Sequence, residues 1–184
     1  MIGLFIGSFN PPTLAHLKIC LKLKKEFKKI VFVPVNSRIK NLVSFKRRCD
    51  MLNILRREYS FLDIDYVMEK YSYFDYRILD ILKKKYHDIK IIIGSDVLSD
   101  LPKFNNYEYL VSKFQFVVIT RDKIDINMII DEHFKKYKKN FTVCNYLIDV
   151  SSTKARELIN KNQSVEGILN KNVYAYIKEN HLYF

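Results

Sequence analysis

Ile2-Gly3-Leu4-Phe5-Ile6 runs without a break into Gly7-Ser8-Phe9-Asn10-Pro11-Pro12-Thr13-Leu14-Ala15-His16, and the contrast between the two pieces decides the fold. The first is a continuous apolar run with no polar alternation, the pattern of a strand covered on both faces, as strands of parallel sheets are. Gly7 ends it. Two prolines stiffen the loop that follows, and Thr13 is a suitable N-cap for a helix. That helix carries Leu14, Leu17 and Leu21 at helical spacing, followed by Leu23 and Phe27. Strand, glycine turn and helix in this order open an α/β unit.

Working outward, the same kind of run recurs at Ile30 to Val33, Ile91 to Ile93 and Phe116 to Ile119, and Phe141 to Ile148 reads as a more mixed edge strand. Amphipathic patterns lie between them. Ser44 to Arg57 carries Met51, Leu52 and Leu55 on one side, and Ile78, Leu79, Ile81 and Leu82 supply another helix. Alternation of strand and helix predicts a doubly wound, Rossmann-like parallel sheet with helices on both faces. From Ser151 onward the sequence reads as helical throughout, with Leu158 and Ile159 on one helix and Val173, Tyr176 and Ile177 on another. The expected organisation is one domain over residues 1–184, with 151–184 as a helical C-terminal lobe.

The 184 residues carry 32 lysines and arginines against 20 acidic groups, a formal charge of +12. Lys22, Lys24, Lys25, Lys28 and Lys29 share one amphipathic stretch and read as a solvated helix face. A basic surface equally suits an enzyme acting on polyanionic nucleotides or a nucleic-acid binder, so charge alone decides nothing. No apolar run reaches bilayer length. Met1 to Phe9 lacks a basic leader and a cleavage site, so it reads as a strand rather than a signal peptide. Cys20, Cys49 and Cys144 are scattered and without metal-ligand spacing; a reducing compartment, the cytosol, is the expectation.

Ligands of such folds sit beyond the carboxyl ends of the strands, where the strand order reverses. Two of the chain's four glycines, Gly7 and Gly94, directly follow apolar strands there, and glycine permits close backbone approach and positive φ. His16 lies three residues past Thr13, so both face the space before a helix N-terminus, which favours anions through free N–H groups and the helix dipole. Ser151-Ser152-Thr153-Lys154-Ala155-Arg156 repeats the theme at a second helix start. Its hydroxyls are capping residues and phosphate ligands by chemistry, and Arg156 offers a planar fork for phosphoryl oxygens. A nucleoside triphosphate could span both sites. No Walker loop, G-x-G-x-x-G, HExxH or paired CxxC is present, which disfavours a P-loop kinase or a dehydrogenase.

At these residues the sequence resembles the nucleotidylyltransferase superfamily. Gly7-Ser8-Phe9-Asn10-Pro11 with Thr13 and His16 looks like its G-x-F-x-P-x-(H/T)-x-x-H signature, and Ser151-Ser152-Thr153 with Arg156 like its S-S-T-x-x-R signature. Arg48-Cys49-Asp50-Met51-Leu52, Ser72-Tyr73, Ile92-Ile93-Gly94-Ser95-Asp96, the stretch Val173 to Ile177, and Leu182-Tyr183 extend the likeness to the nicotinate and nicotinamide mononucleotide adenylyltransferases. The departures are Thr13 in place of a first histidine, Ala15 for glycine, Phe74 for threonine and Phe104 where tryptophan is usual. They leave the choice between a carboxylate and an amide on the pyridine ring open.

The resemblance implies in-line transfer of AMP from ATP to a pyridine mononucleotide, with Mg2+ accompanying the triphosphate. It implies catalytic roles for His16, Thr13 and Arg156, and ATP contacts from Gly7, Ser8, Phe9, Asn10, Gly94, Asp96, Ser151, Ser152 and Thr153. It implies mononucleotide contacts from Lys40, Tyr73, Phe74, Phe104 and Arg121. No metal ligand is expected from the protein, and the partners are small nucleotides rather than membranes or nucleic acid. The alternatives are pantetheine-phosphate adenylyltransferase chemistry, or a basic nucleotide- or nucleic-acid-binding module without turnover.

Overall fold

The structure, a computed structural model, describes residues 1–36, 42–104, 106–120, 125–146 and 150–184. Among these, six parallel strands form one sheet: β1 (Ile2–Gly7), β2 (Lys29–Pro34), β3 (Leu62–Ile64), β4 (Ile89–Gly94), β5 (Gln115–Ile119) and β6 (Phe141–Cys144). Their spatial order is β3-β2-β1-β4-β5-β6. The chain winds outward from β1 to β3, returns to β1's free side with β4, and winds outward again. The reversal falls between β1 and β4, so the crevice beyond the ends of those two strands is where a ligand belongs.

Eight α-helices cover the faces among the described residues: α1 (Leu14–Leu23), α2 (Phe45–Glu58), α3 (Tyr76–Tyr86), α4 (Ser95–Asp100), α5 (Tyr107–Lys113), α6 (Ile126–His133), α7 (Ser152–Asn160) and α8 (Lys171–Glu179). They divide the core in two. Phe5, Phe32, Ile92 and Val117 point to the layer built by α1, α2, α7 and α8. Their chain neighbours Leu4, Val31, Val33, Ile91, Ile93, Phe116 and Val118 point to the layer of α3, α4, α5 and α6. Successive strand side chains alternate between faces, so a sheet clothed on both sides needs apolar residues at every position. The unalternated runs have that cause.

The structure adds one strand to those expected and adjusts two expectations. β3 pairs with β2 through only three residues, Ile30↔Leu62 to Phe32↔Ile64, too short to print a pattern in the sequence. The edge strand expected over Phe141 to Ile148 ends at Cys144, and residues 147–149 lie outside the described set. The segment after Ser151 is not helical throughout: α7 and α8 are separated at residues 161–170, where Asn162 and Gly167 take positive φ of 52° and 72°. Such backbone ends a right-handed helix. Among the described residues no helix is long and apolar enough to cross a membrane.

Candidate active site

A cavity of about 1610 Å³ opens beyond the ends of β1 and β4, and Gly7, Gly94, His16 and Arg156 all line it. Its floor begins at the β1–α1 loop. The glycine ending β1 does not take the positive φ expected of it. That conformation falls instead on Phe9, at φ 48°, a left-handed geometry that costs a bulky residue on the order of 1–3 kcal/mol. The compensation is the ring's burial. Phe9 is 1% exposed and packs edge-on against Phe5 (5.5 Å between centroids), Phe32 (5.0 Å) and His16 (5.1 Å). Full burial of a Phe side chain stabilises by roughly 1.5–3 kcal/mol, enough to offset the strain. A Cβ at Gly7 would stand 3.0 Å from Phe9 Cζ, so a side chain there would crowd the ring. Phe9 thus lines the cavity and is at the same time a core wedge beneath the loop.

Thr13 caps α1 with extended backbone (φ −112°, ψ 169°). The Thr13 N–H donates to His16 Nδ1 at 3.0 Å, and Thr13 Oγ1 lies 2.9 Å from the same nitrogen. A backbone N–H has no other role than donor, so Nδ1 accepts, and the neutral ring carries its proton on Nε2. Local chain geometry thus selects the tautomer whose Nε2–H is a donor. Together with Phe5 at 5.8 Å and Phe9, Thr13 fixes the half-buried ring in place.

The second helix start meets the first directly. Ser151 Oγ accepts from the Lys154 N–H at 3.1 Å and so caps α7. Ser152 Oγ donates to the Pro11 carbonyl at 2.8 Å. Arg156 Nη1 donates to the Asn10 carbonyl at 2.8 Å, and Nη2 to Thr153 Oγ1 at 3.2 Å. Two helix N-termini, each with partial positive charge, are thereby fastened side by side on one cavity. Ser151 caps the helix as the sequence reading expected, while Ser152 and Arg156 also stitch the two segments together, a role that reading did not include.

Gly94 leads into α4 with φ −79°, again without positive φ, and Asp96 sits in that helix's first turn and lines the cavity. Tyr73 and Phe104, 42% and 46% exposed, and the partly buried Phe74 line its rim. Ser8 and Asn10 line it near His16. Lys40 and Arg121 fall outside the described residues. The remaining expected site residues are brought to this one cavity, except Thr13, which is 2% exposed and reaches it through His16.

One residue at the site's base was quoted in the sequence but given no role. Arg48, on α2, is 1% exposed. Its Nη1 donates to the Ser8 and Val35 carbonyls at 2.8 Å each, Nη2 to Asn36 Oδ1 at 2.6 Å, and Nε to the Val43 carbonyl at 3.1 Å. Burial holds its pKa below the ordinary guanidinium value, with the side chain still charged at neutral pH. All four acceptors are neutral, so the charge has no carboxylate among these partners. The signal was legible: Arg48 shares a stripe with Met51, Leu52 and Leu55, an apolar face where a charge stands out. Cys20 and Cys49 are buried thiols; burial raises both, Cys49 to about 12, so neither is a thiolate nucleophile at neutral pH.

Comparison with known proteins places these features in company. The family described as cytidylyltransferase-like matches residues 4–158. A relative from Acholeplasma laidlawii, named "Probable nicotinate-nucleotide adenylyltransferase", is 30% identical over 189 residues that span all of this chain and 97% of its own length. One of the same name from Clostridium tetani is 30% identical, with 98% of each chain covered. Among solved structures, the Plasmodium falciparum nicotinic acid mononucleotide adenylyltransferase complexed with NaAD superposes with a TM-score of 0.81 at 23% identity, over 99% of this chain and 96% of that one. That likeness speaks to the fold.

Proposed function

This chain belongs to the cytidylyltransferase-like family and, within it, to the nicotinate-nucleotide adenylyltransferases, and from that membership we propose that it transfers the adenylyl group of ATP to nicotinate mononucleotide, releasing pyrophosphate and deamido-NAD for NAD biosynthesis. The observation that carries the reading is the seam between the two signature segments, where Ser152 holds the Pro11 carbonyl and Arg156 the Asn10 carbonyl. It sets two anion-favouring helix starts on one cavity, as a triphosphate and a second phosphate require.

In the proposed step a 5′-phosphate oxygen of the mononucleotide attacks the α-phosphorus of ATP. The new P–O bond forms as the bond to the β-phosphate oxygen breaks, and that electron pair leaves with pyrophosphate. No covalent enzyme intermediate arises, so the protein contributes position and charge. His16 Nε2–H donates to an α-phosphoryl oxygen, held in that role by the Thr13 N–H on Nδ1. The N-termini of α1 and α7, with Arg156, hold the β- and γ-phosphates. Asp96 accepts from ribose hydroxyls, and Tyr73, Phe74 and Phe104 pack on the pyridine ring. Among the described residues no group of three acidic, His or Cys side chains gathers to cage a cation. The cavity's anion-binding groups would hold the phosphates, and Mg2+, when bound, would be carried mainly by phosphate oxygens and water and would supply charge neutralisation there. We take residues 1–184 as one domain acting in the cytosol.

The test is pyrophosphate release with ATP and Mg2+, offering nicotinate mononucleotide, nicotinamide mononucleotide or 4′-phosphopantetheine. Preference for nicotinate mononucleotide is expected. Preference for the amide would reassign the base, activity with phosphopantetheine alone would reassign the pathway, and silence with all three would return the chain to a binding role.

A further inference from the structure

Asn10 is 2% exposed and lines the cavity, and its side-chain oxygen accepts two bonds. One comes from the Val43 N–H at 3.1 Å, in the segment after β2. The other comes from the Tyr183 hydroxyl at 2.9 Å, 173 residues away along the chain. The Val43 N–H must donate, which fixes the amide with Oδ1 toward both partners. Burial pushes the Tyr183 phenol above its ordinary value, against the pull of Arg156 and Arg48, so the hydroxyl keeps its proton and donates. The tail carrying it is anchored in turn by the Leu182 N–H on the Ile177 carbonyl at 3.0 Å.

Asn10 is also where the other holds converge. Its carbonyl takes Arg156, the next carbonyl takes Ser152, and three residues on the Thr13 N–H takes His16. Resting on the adenylyl-transfer reading, we propose that Tyr183 is a positioning residue of that reaction. Its hydroxyl locks the Asn10 amide, and through Asn10 it fixes the spacing of the loop after β1, which carries His16, against the segment after β2. Tyr183 also lines the cavity, but its hydroxyl is spent on Asn10. Its effect therefore falls on the alignment of the reactants rather than on their capture.

Tyr183→Phe removes only the hydroxyl and leaves the ring packed on the core. We expect kcat to fall about 5- to 20-fold with KM for ATP within about twofold, because misalignment is felt in the transition state. The melting temperature should move by no more than about 2 °C. Without any nucleotide present, exchange of the Val43 amide should quicken on the order of tenfold. In an Asn10→Ala background the same substitution should cost little more, since the coupling partner is gone. An unchanged kcat, a loss that merely follows the melting temperature, or equal cost in both backgrounds overturns the proposal. Should the wild-type protein lack adenylyl transfer, the reaction fails on its own account, and the Val43 exchange still decides whether the clasp exists.

Discussion

The two ends of the cavity are built on opposite plans. At the end proposed for the phosphates, the loop from Ser8 to Thr13 is bonded by Arg48, Ser152, Arg156, Tyr183 and His16, and Asn10 and Thr13 are each 2% exposed. At the rim, Tyr73 and Phe104 stand 42% and 46% open to solvent. Phosphoryl transfer rewards atoms held to within fractions of an ångström, because charge stabilisation and in-line geometry decay steeply with misplacement. A flat aromatic base asks only for a face to lie on, which exposed rings supply with far less scaffolding.

The largest effect should come from the phosphate end's hidden support. Arg48→Met strips four acceptors of their donor, and even with partial rehydration a stability loss of about 3 kcal/mol is expected, read by urea unfolding. A loss under 1 kcal/mol would mean that the loops hold themselves. Next, His16→Ala should lower kcat about 100-fold, near 2.7 kcal/mol of barrier, while circular dichroism stays that of a folded chain. A near-normal rate would remove His16 from the chemistry. Arg156→Ala should cut kcat/KM for ATP by about 30-fold, near 2 kcal/mol; lost stability with intact kinetics would make the arginine only a stitch. Smallest, Phe104→Ala should raise KM for the mononucleotide by about three- to tenfold with kcat little changed. If Phe104→Ala instead struck kcat as hard as His16→Ala, the contrast between the two ends would collapse.

Much of this was open to reading from the residues. The unalternated runs at Ile2, Ile30, Ile91 and Phe116 foretold a sheet buried on both faces, because that requirement acts on every residue of a strand. Thr13 and His16, and the Ser151 to Arg156 segment, were legible because local spacing alone determines which side chains share a helix start. What escaped depends on distant partners. Nothing near Asn10 announces Tyr183, and Arg48 differs from an ordinary surface arginine only by its place on an apolar stripe. The glycine reading was right in placing Gly7 and Gly94 at the cavity and wrong on their φ. Gly7 suggested positive φ on its own account, whereas it serves by having no side chain, and the unusual backbone passed to Phe9 because its ring had a hole to fill.

The strand order has a further consequence, for how the molecule comes apart. β1 lies between two paired neighbours, whereas β6 is an edge held from one side. Half of the anion cradle hangs from the first and half follows the second. Thermal fraying starts at edges and ends, so α7's half should detach while the β1 half stays folded, with Ser152–Pro11 and Arg156–Asn10 as the line along which it tears. Bound nucleotide would span that line, and its binding would then register as slowed amide exchange in α7 well before it altered the centre of the sheet.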